Sequence, residues 1–155
     1  MKSIDDFVSR FNSDLKLCAS LIVERGGRHY LLEEKMKELL RSEFYYAGTY
    51  LGKVRRKRFF PSFAFLAMIG KGRSNKITVS RRTEWLFVCG RDIFKQGILK
   101  VEGSGKRGDY TLVLNQDDEC LGFGKIVDDL FEGKHERKLA VENISDIGDF
   151  LRRER

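Results

Sequence analysis

The chain has 155 residues and a mass of 18.0 kDa, with 41% hydrophobic and 34% charged residues and a formal net charge of +7. That composition excludes a disordered or fibrous chain and allows one domain or two small ones. No window approaches the roughly 20 uncharged apolar residues of a spanning helix. Residues 1–10 also lack the apolar core of a secretory signal, so the expectation is a soluble, intracellular protein without a membrane partner.

Along the chain, Ser3-Ile4-Asp5-Asp6 reads as a capping box. Ile4, Phe7, Val8 and Phe11 follow at helical spacing. Residues 16–23 become apolar and branched, and Arg25-Gly26-Gly27-Arg28 separates them from His29-Tyr30-Leu31-Leu32, which predicts a hairpin turned by the paired glycines. Helix formers fill 33–41 around Met36, Leu39 and Leu40. Residues 45–56 read as a strand in which Gly48 and Gly52 mark either bulges or a close backbone approach. Pro61 opens a second helix over 62–69, where its missing N–H is harmless.

The polar, glycine-rich run Gly70-Lys71-Gly72-Arg73-Ser74-Asn75 is read as a linker, dividing the chain into 1–73 and 74–155. Beyond it, 77–79 is a short strand. Residues 110–114 pair with 121–127 across the turn Asn115-Gln116-Asp117-Asp118-Glu119, and 139–141 is a last strand. Asn143 or Ser145 then caps a helix over 146–153. The apolar run Trp85 to Cys89 fits a buried strand or a buried helical turn.

Charge is unevenly distributed. Between Glu43 and Glu84 there is no acidic residue, yet ten basic ones occur: Lys53, Arg55, Arg56, Lys57, Arg58, Lys71, Arg73, Lys76, Arg81 and Arg82. The remaining 20 Lys and Arg face all 23 Asp and Glu, so the balance is +10 inside this quarter of the sequence and −3 outside it. Clustered cations release condensed counterions from phosphates, which makes a nucleic acid the expected partner. The basic run does not lie on an amphipathic helix, which disfavours a membrane surface.

Catalytic constellations fail on their spacing. The two histidines, His29 and His135, form no metal-binding pair, and His29 beside the glycine turn reads as a surface residue. Cys18, Cys89 and Cys120 are too dispersed for a zinc finger or a disulfide framework and read as reduced, half-buried hydrophobes. Gly103-Ser104-Gly105-Lys106-Arg107-Gly108 satisfies GxGxxG literally, but a strand rather than a helix follows it, so it reads as a flexible hairpin loop. As a P-loop it fails, because Arg107 stands where Ser or Thr must ligate magnesium. The triplet Asp117-Asp118-Glu119 suits a turn better than acid–base chemistry. Abundant Arg and Lys, two glutamines and one proline give a composition common in thermophile proteins and hint at an archaeal source.

Three segments carry a resemblance. Trp85-Leu86-Phe87-Val88-Cys89-Gly90-Arg91-Asp92-Ile93-Phe94-Lys95-Gln96-Gly97-Ile98, then Leu121-Gly122-Phe123-Gly124, then Ser145-Asp146-Ile147-Gly148-Asp149-Phe150-Leu151-Arg152-Arg153 together resemble the PUA domain of the Nip family of ribosome-biogenesis factors. Upstream, Arg28-His29-Tyr30-Leu31-Leu32-Glu33-Glu34-Lys35 and Ala47-Gly48-Thr49-Tyr50-Leu51-Gly52-Lys53-Val54 resemble that family's amino-terminal domain.

The resemblance implies an α+β protein with an amino-terminal antiparallel α/β domain followed by a PUA pseudo-barrel. It also implies a short helix over 85–89, stopped by a glycine turn at Gly90. It further implies a factor without catalytic activity or cofactor that acts in maturation of large-subunit ribosomal RNA. The positions matching the family's RNA-contacting segment are Arg137 and Lys138, while Glu142 and Ser145 fall where archaeal relatives tend to be basic. The charge pattern therefore moves RNA contact toward Arg55, Arg56, Lys57 and Arg58 and the group Lys71, Arg73, Lys76, Arg81 and Arg82. Tyr45, Tyr46, Tyr50, Phe59 and Phe60 flank the first run and either stack bases or, more simply, pack a sheet. The expected partners are ribosomal RNA or its precursor, single-stranded and rich in uridine or adenosine, and pre-ribosomal or RNA-processing proteins. The expected state is a monomer in the archaeal cytoplasm, or in the nucleus for a eukaryotic member. Two other readings stay open at this point: the RNA-targeting subunit of a modification enzyme, and a protein adaptor in an RNA-processing complex.

Overall fold

A computed structural model describes residues 2–36, 48–131 and 137–149. The fold is α+β, with an amino-terminal antiparallel sheet and a second sheet that curls into a half-barrel. Helix α1 (Lys2–Ser9) opens the chain. Strands β1 (Ile22–Arg25), β2 (Arg28–Leu31), β3 (Thr49–Arg55) and β4 (Arg58–Pro61) then form sheet A in the order β1-β2-β3-β4. After helix α2 (Phe63–Lys71) come β5 (Lys76–Val79), helix α3 (Arg81–Val88), β6 (Ile93–Phe94), β7 (Ile98–Glu102), β8 (Tyr110–Leu114), β9 (Cys120–Ile126) and β10 (Leu139–Asp146). Sheet B has the order β6-β10-β9-β8-β5-β7, and only β5 and β8 run parallel.

Both hairpins of sheet A have two-residue turns. Gly26 and Gly27, with φ of 57° and 74°, make the left-handed pair that matches strand twist. Gly48 and Gly52 prove to be close-approach positions: a Cβ at either would collide with a backbone oxygen, that of Leu31 or of Phe60. Helix α2 starts at Ser62, whose hydroxyl accepts from the Phe65 N–H at 3.1 Å; Pro61 is the last residue of β4 and does not open the helix. Ser80 caps α3 in the same way, accepting from the Thr83 N–H.

The packing joins the two sheets. One cluster gathers Ile4, Phe7, Val8 and Phe11 from the amino-terminal segment, Leu51 from β3, Phe65, Leu66 and Ile69 from α2, and Leu112, Leu114 and Phe123 from sheet B. A second fills the half-barrel with Ile77, Val79, Phe87, Ile93, Val113, Leu121, Ile126, Ala140 and Val141. Strand β8 serves both: side chains alternate across a strand, so Leu112 and Leu114 face the first cluster while Val113 faces the second. Burial on both faces explains the apolar run Leu112-Val113-Leu114 that ends the strand.

Several expectations are corrected. Ser3 lies inside α1 rather than capping it. The 70–75 run is not a free linker: Gly70 and Lys71 finish α2, and Ser74 and Asn75 are buried. Asn75 accepts from the Ser104 N–H at 2.9 Å and donates to the Tyr110 carbonyl at 3.1 Å, which ties this segment to both ends of the β7–β8 connection. That connection is not a hairpin. It links two strands that flank β5, and the Ser104 hydroxyl donates to Asp109 at 2.6 Å. Strand β10 continues through Asn143 and Ser145 to Asp146, so neither residue caps a helix, and 150–153 lie outside the described residues.

Of the helix expected over 33–41, residues 34–36 form a 3-10 turn and 37–41 lie outside the described residues. Trp85 is in a helix, as the resemblance implied, but it is 68% exposed, and only Phe87 of α3 is buried. His29 is buried, with Nε2 3.6 Å from the Glu24 carboxylate and its ring edge-on to Phe59. Cys18 and Cys89 are exposed rather than half-buried; Cys120 is half-buried, and burial raises its thiol above the ordinary cysteine value.

Candidate nucleic-acid interface

Antiparallel pairing places both hairpin turns at one end of sheet A. The Val54 N–H donates to the Gly27 carbonyl at 2.9 Å and stitches the two turns side by side. Register then fixes the neighbours. Arg25 is paired with Arg28, Arg28 with Lys53, and Arg55 with Arg58. Together with Arg56 and Lys57 in the second turn, seven exposed cations occupy this end of the sheet. Glu24 lies on the opposite face, against His29.

Folding alone does not favour this arrangement. Like charges directly opposite one another in a ladder repel. Arg56 and Lys57 adopt φ of 49° and 63°, the left-handed region that two-residue turns normally fill with Asn or Gly. Each departure costs free energy, so the site holds charge density at the expense of stability. An assembly of this kind attracts a polyanion and gains by releasing its counterions.

The other basic candidates sit on different elements. Lys71 and Arg73 lie at and just beyond the carboxy-terminal end of α2, and Arg81 and Arg82 form the first turn of α3; all four are exposed. Lys76 is half-buried on β5, with its ammonium 3.8 Å from Glu102, so it offers little free charge. Arg137 and Lys138 are exposed before β10, and Lys138 donates to Asp128 at 2.6 Å. Asp128 also takes an ion pair from Lys95 at 2.6 Å. The two ammonium groups, Lys138 first, hold its carboxyl below the usual aspartate range.

The aromatic residues divide by strand face. Phe59 packs into the first core cluster, 5.3 Å from Phe7, which settles it as a packing residue. Phe60 points the other way and is 43% exposed. Tyr50 is half-buried beside Tyr30, with ring centroids 5.4 Å apart. Tyr45 and Tyr46 lie outside the described residues. Arg25 and Arg28 were missed as candidates by the charge count, because Glu24 and Glu33 dilute their local balance; the signal was an Arg on each side of a two-residue turn.

Comparison with known proteins agrees with this architecture. The UPF0113 PUA domain family model matches residues 75–155. The first carboxy-terminal domain of the RsmF rRNA methyltransferase matches residues 6–69. A UPF0113 protein of Archaeoglobus fulgidus is 33% identical over 114 residues, covering 72% of this chain and 64% of that relative. The chain thus spans a little under two thirds of the relative's length. Among solved structures, a conserved PUA domain protein from Thermoplasma acidophilum aligns over 99% of this chain and 92% of its own, with 20% identity and a TM-score of 0.61. A PUA domain from Aeropyrum pernix aligns over 61% of this chain and 55% of its own, with 25% identity and a TM-score of 0.52. With its carboxy-terminal half matched from Asn75 onward, the chain belongs to the UPF0113 PUA domain family.

Proposed function

We propose that this protein is a non-catalytic RNA-binding factor in large-subunit ribosomal RNA maturation, of the Nip type that its sequence resembles. PUA domains bind RNA, and this chain carries one over residues 75–155. The observation that carries the reading is the cluster of seven exposed cations at the hairpin end of sheet A, held there against charge repulsion and left-handed backbone cost. The likeness of residues 6–69 to a domain of an rRNA methyltransferase supports an rRNA target for that half as well. The same likeness favours a second reading, in which the chain targets RNA for a modification enzyme whose catalytic part is another polypeptide.

The test is a titration of the full chain with labelled uridine-rich and adenosine-rich single-stranded RNA and a DNA control at several salt concentrations. Salt-dependent binding that favours RNA is expected. No RNA binding even at low salt overturns both readings and leaves a protein adaptor. Co-purification with a methyltransferase or a pseudouridine synthase, and not with pre-ribosomal particles, selects the second reading over the first.

A further inference from the structure

Sheet A has one face in the core and one in solvent. Ile22, Leu31 and Phe59 point inward to the first cluster. Strand alternation and the observed register then place Arg25, Arg28, Lys53 and Phe60 in a single row across the outer face, each paired with the next. Arg55 and Arg58 form the next row toward the turns. On the other side of the first row lies the Tyr30–Tyr50 pair, joined by the bulge in β2–β3 pairing. The row crosses four strands, a distance of about 14 Å.

We propose that this outer face is an RNA site in its own right, separate from the PUA half, which binds single-stranded RNA by stacking an unpaired base on Phe60 while the flanking guanidinium and ammonium groups hold the phosphates. The inference rests on the RNA-binding reading above and extends its cation cluster to an aromatic contact and a strandedness. Two observations carry it. The face presents five exposed cations and, among the described residues, no acidic one, which selects a polyanion. At the end of the cationic row stands Phe60, 43% exposed, directly opposite Lys53. An exposed phenyl ring contributes nothing to binding a duplex backbone or a sulfated polysaccharide, whose contacts are ionic. It does contribute to binding unpaired bases, because each has a π-face and stacking tolerates any sequence. A row of about 14 Å accommodates two or three nucleotides, so the face acts as a short clamp and not as a long groove.

Two variants of the full chain test this, Phe60→Leu, which keeps the apolar contacts and removes the ring, and Phe60→Tyr, which keeps a ring. Binding is measured to oligouridine, to a duplex RNA of equal charge and to heparin. Phe60→Leu is expected to weaken oligouridine binding roughly 5-fold to 100-fold, with duplex and heparin affinities unchanged and the loss restored in Phe60→Tyr. Ultraviolet crosslinking of oligouridine to the unaltered protein is expected to label peptides within residues 49–61 in addition to those of the PUA half. Equal oligouridine binding by Phe60→Leu and the unaltered chain, or crosslinks confined to 75–155, overturns the second site while leaving the RNA-binding reading intact. Failure of the unaltered chain to bind any RNA overturns that reading instead.

Discussion

Arg55 and Arg58 stand directly opposite one another across the β3–β4 ladder, at the mouth of a turn made of two further cations in left-handed backbone. A sequence selected for stability alone would relieve the backbone cost with Asn-Gly at the turn. The double substitution Arg56→Asn with Lys57→Gly is therefore expected to raise stability by about 1 kcal/mol, because it suits the φ values already adopted. RNA affinity is expected to fall at the same time. Chemical denaturation and RNA titration of the same preparation check the pair of effects, and a destabilised variant would remove the argument from strain.

Neutralising Arg55, Arg56 and Arg58 together to Gln should weaken binding to all single-stranded RNA sequences alike. Each lost phosphate contact lowers the dependence of log affinity on log salt by about 0.7 for single strands. Three contacts predict a slope flatter by about 2. An unchanged slope would take the hairpin turn out of the interface.

Which parts of this architecture were legible in the sequence follows from the range of the interactions involved. The Gly26-Gly27 hairpin was readable because a two-residue glycine turn between apolar runs is a local signal. The β8–β9 pairing was readable for a similar reason, with Asn115 closing the turn by accepting from the Asp117 and Glu119 N–H groups. The burial of His29 and the exposure of Trp85 were not readable, because each depends on what packs opposite. His29 alternates inward toward Phe59, whereas α3 buries Phe87 and turns Trp85 outward. Asn143 looked like a helix cap because its side chain does bond backbone, but its amide donates to the Phe87 carbonyl from within β10. The basic run was visible as charge, while the outer face of sheet A needed the register that places Arg25 and Arg28 beside Lys53.

Phe7 carries the contact between the two halves. Its ring lies edge-on to Phe59 of sheet A at 5.3 Å and to Phe123 of sheet B at 5.5 Å. Removing it opens a cavity on both sides of the shared core, so Phe7→Ala is expected to cost about 3–5 kcal/mol. Loss of structure in the two sheets should coincide in one cooperative transition, because a single cluster includes residues of both. Hydrogen exchange that resolves β3 from β8 checks this; independent unfolding of the two strands would contradict a shared core.

Lys138 and Asp128 are tied by an ion pair whose contribution can be tested. With the Asp128 carboxyl held below its ordinary value by Lys138 and then Lys95, its contribution to stability is present at neutral pH. That contribution is lost as acid protonates the carboxylate, below the ordinary aspartate value of about 3.9. Asp128→Asn should therefore lower the melting temperature at pH 7, and the gap to the unaltered protein should close under acid. A gap that stays constant down to pH 2 would show that the charge pairing contributes nothing. The same substitution releases the Lys138 ammonium, which now donates to Asp128 at 2.6 Å. If the segment before β10 meets phosphate, RNA affinity rises and the salt slope steepens by up to about 0.7. Unaltered RNA binding in Asp128→Asn would leave Lys138 with a structural role only and concentrate the ionic contacts on sheet A.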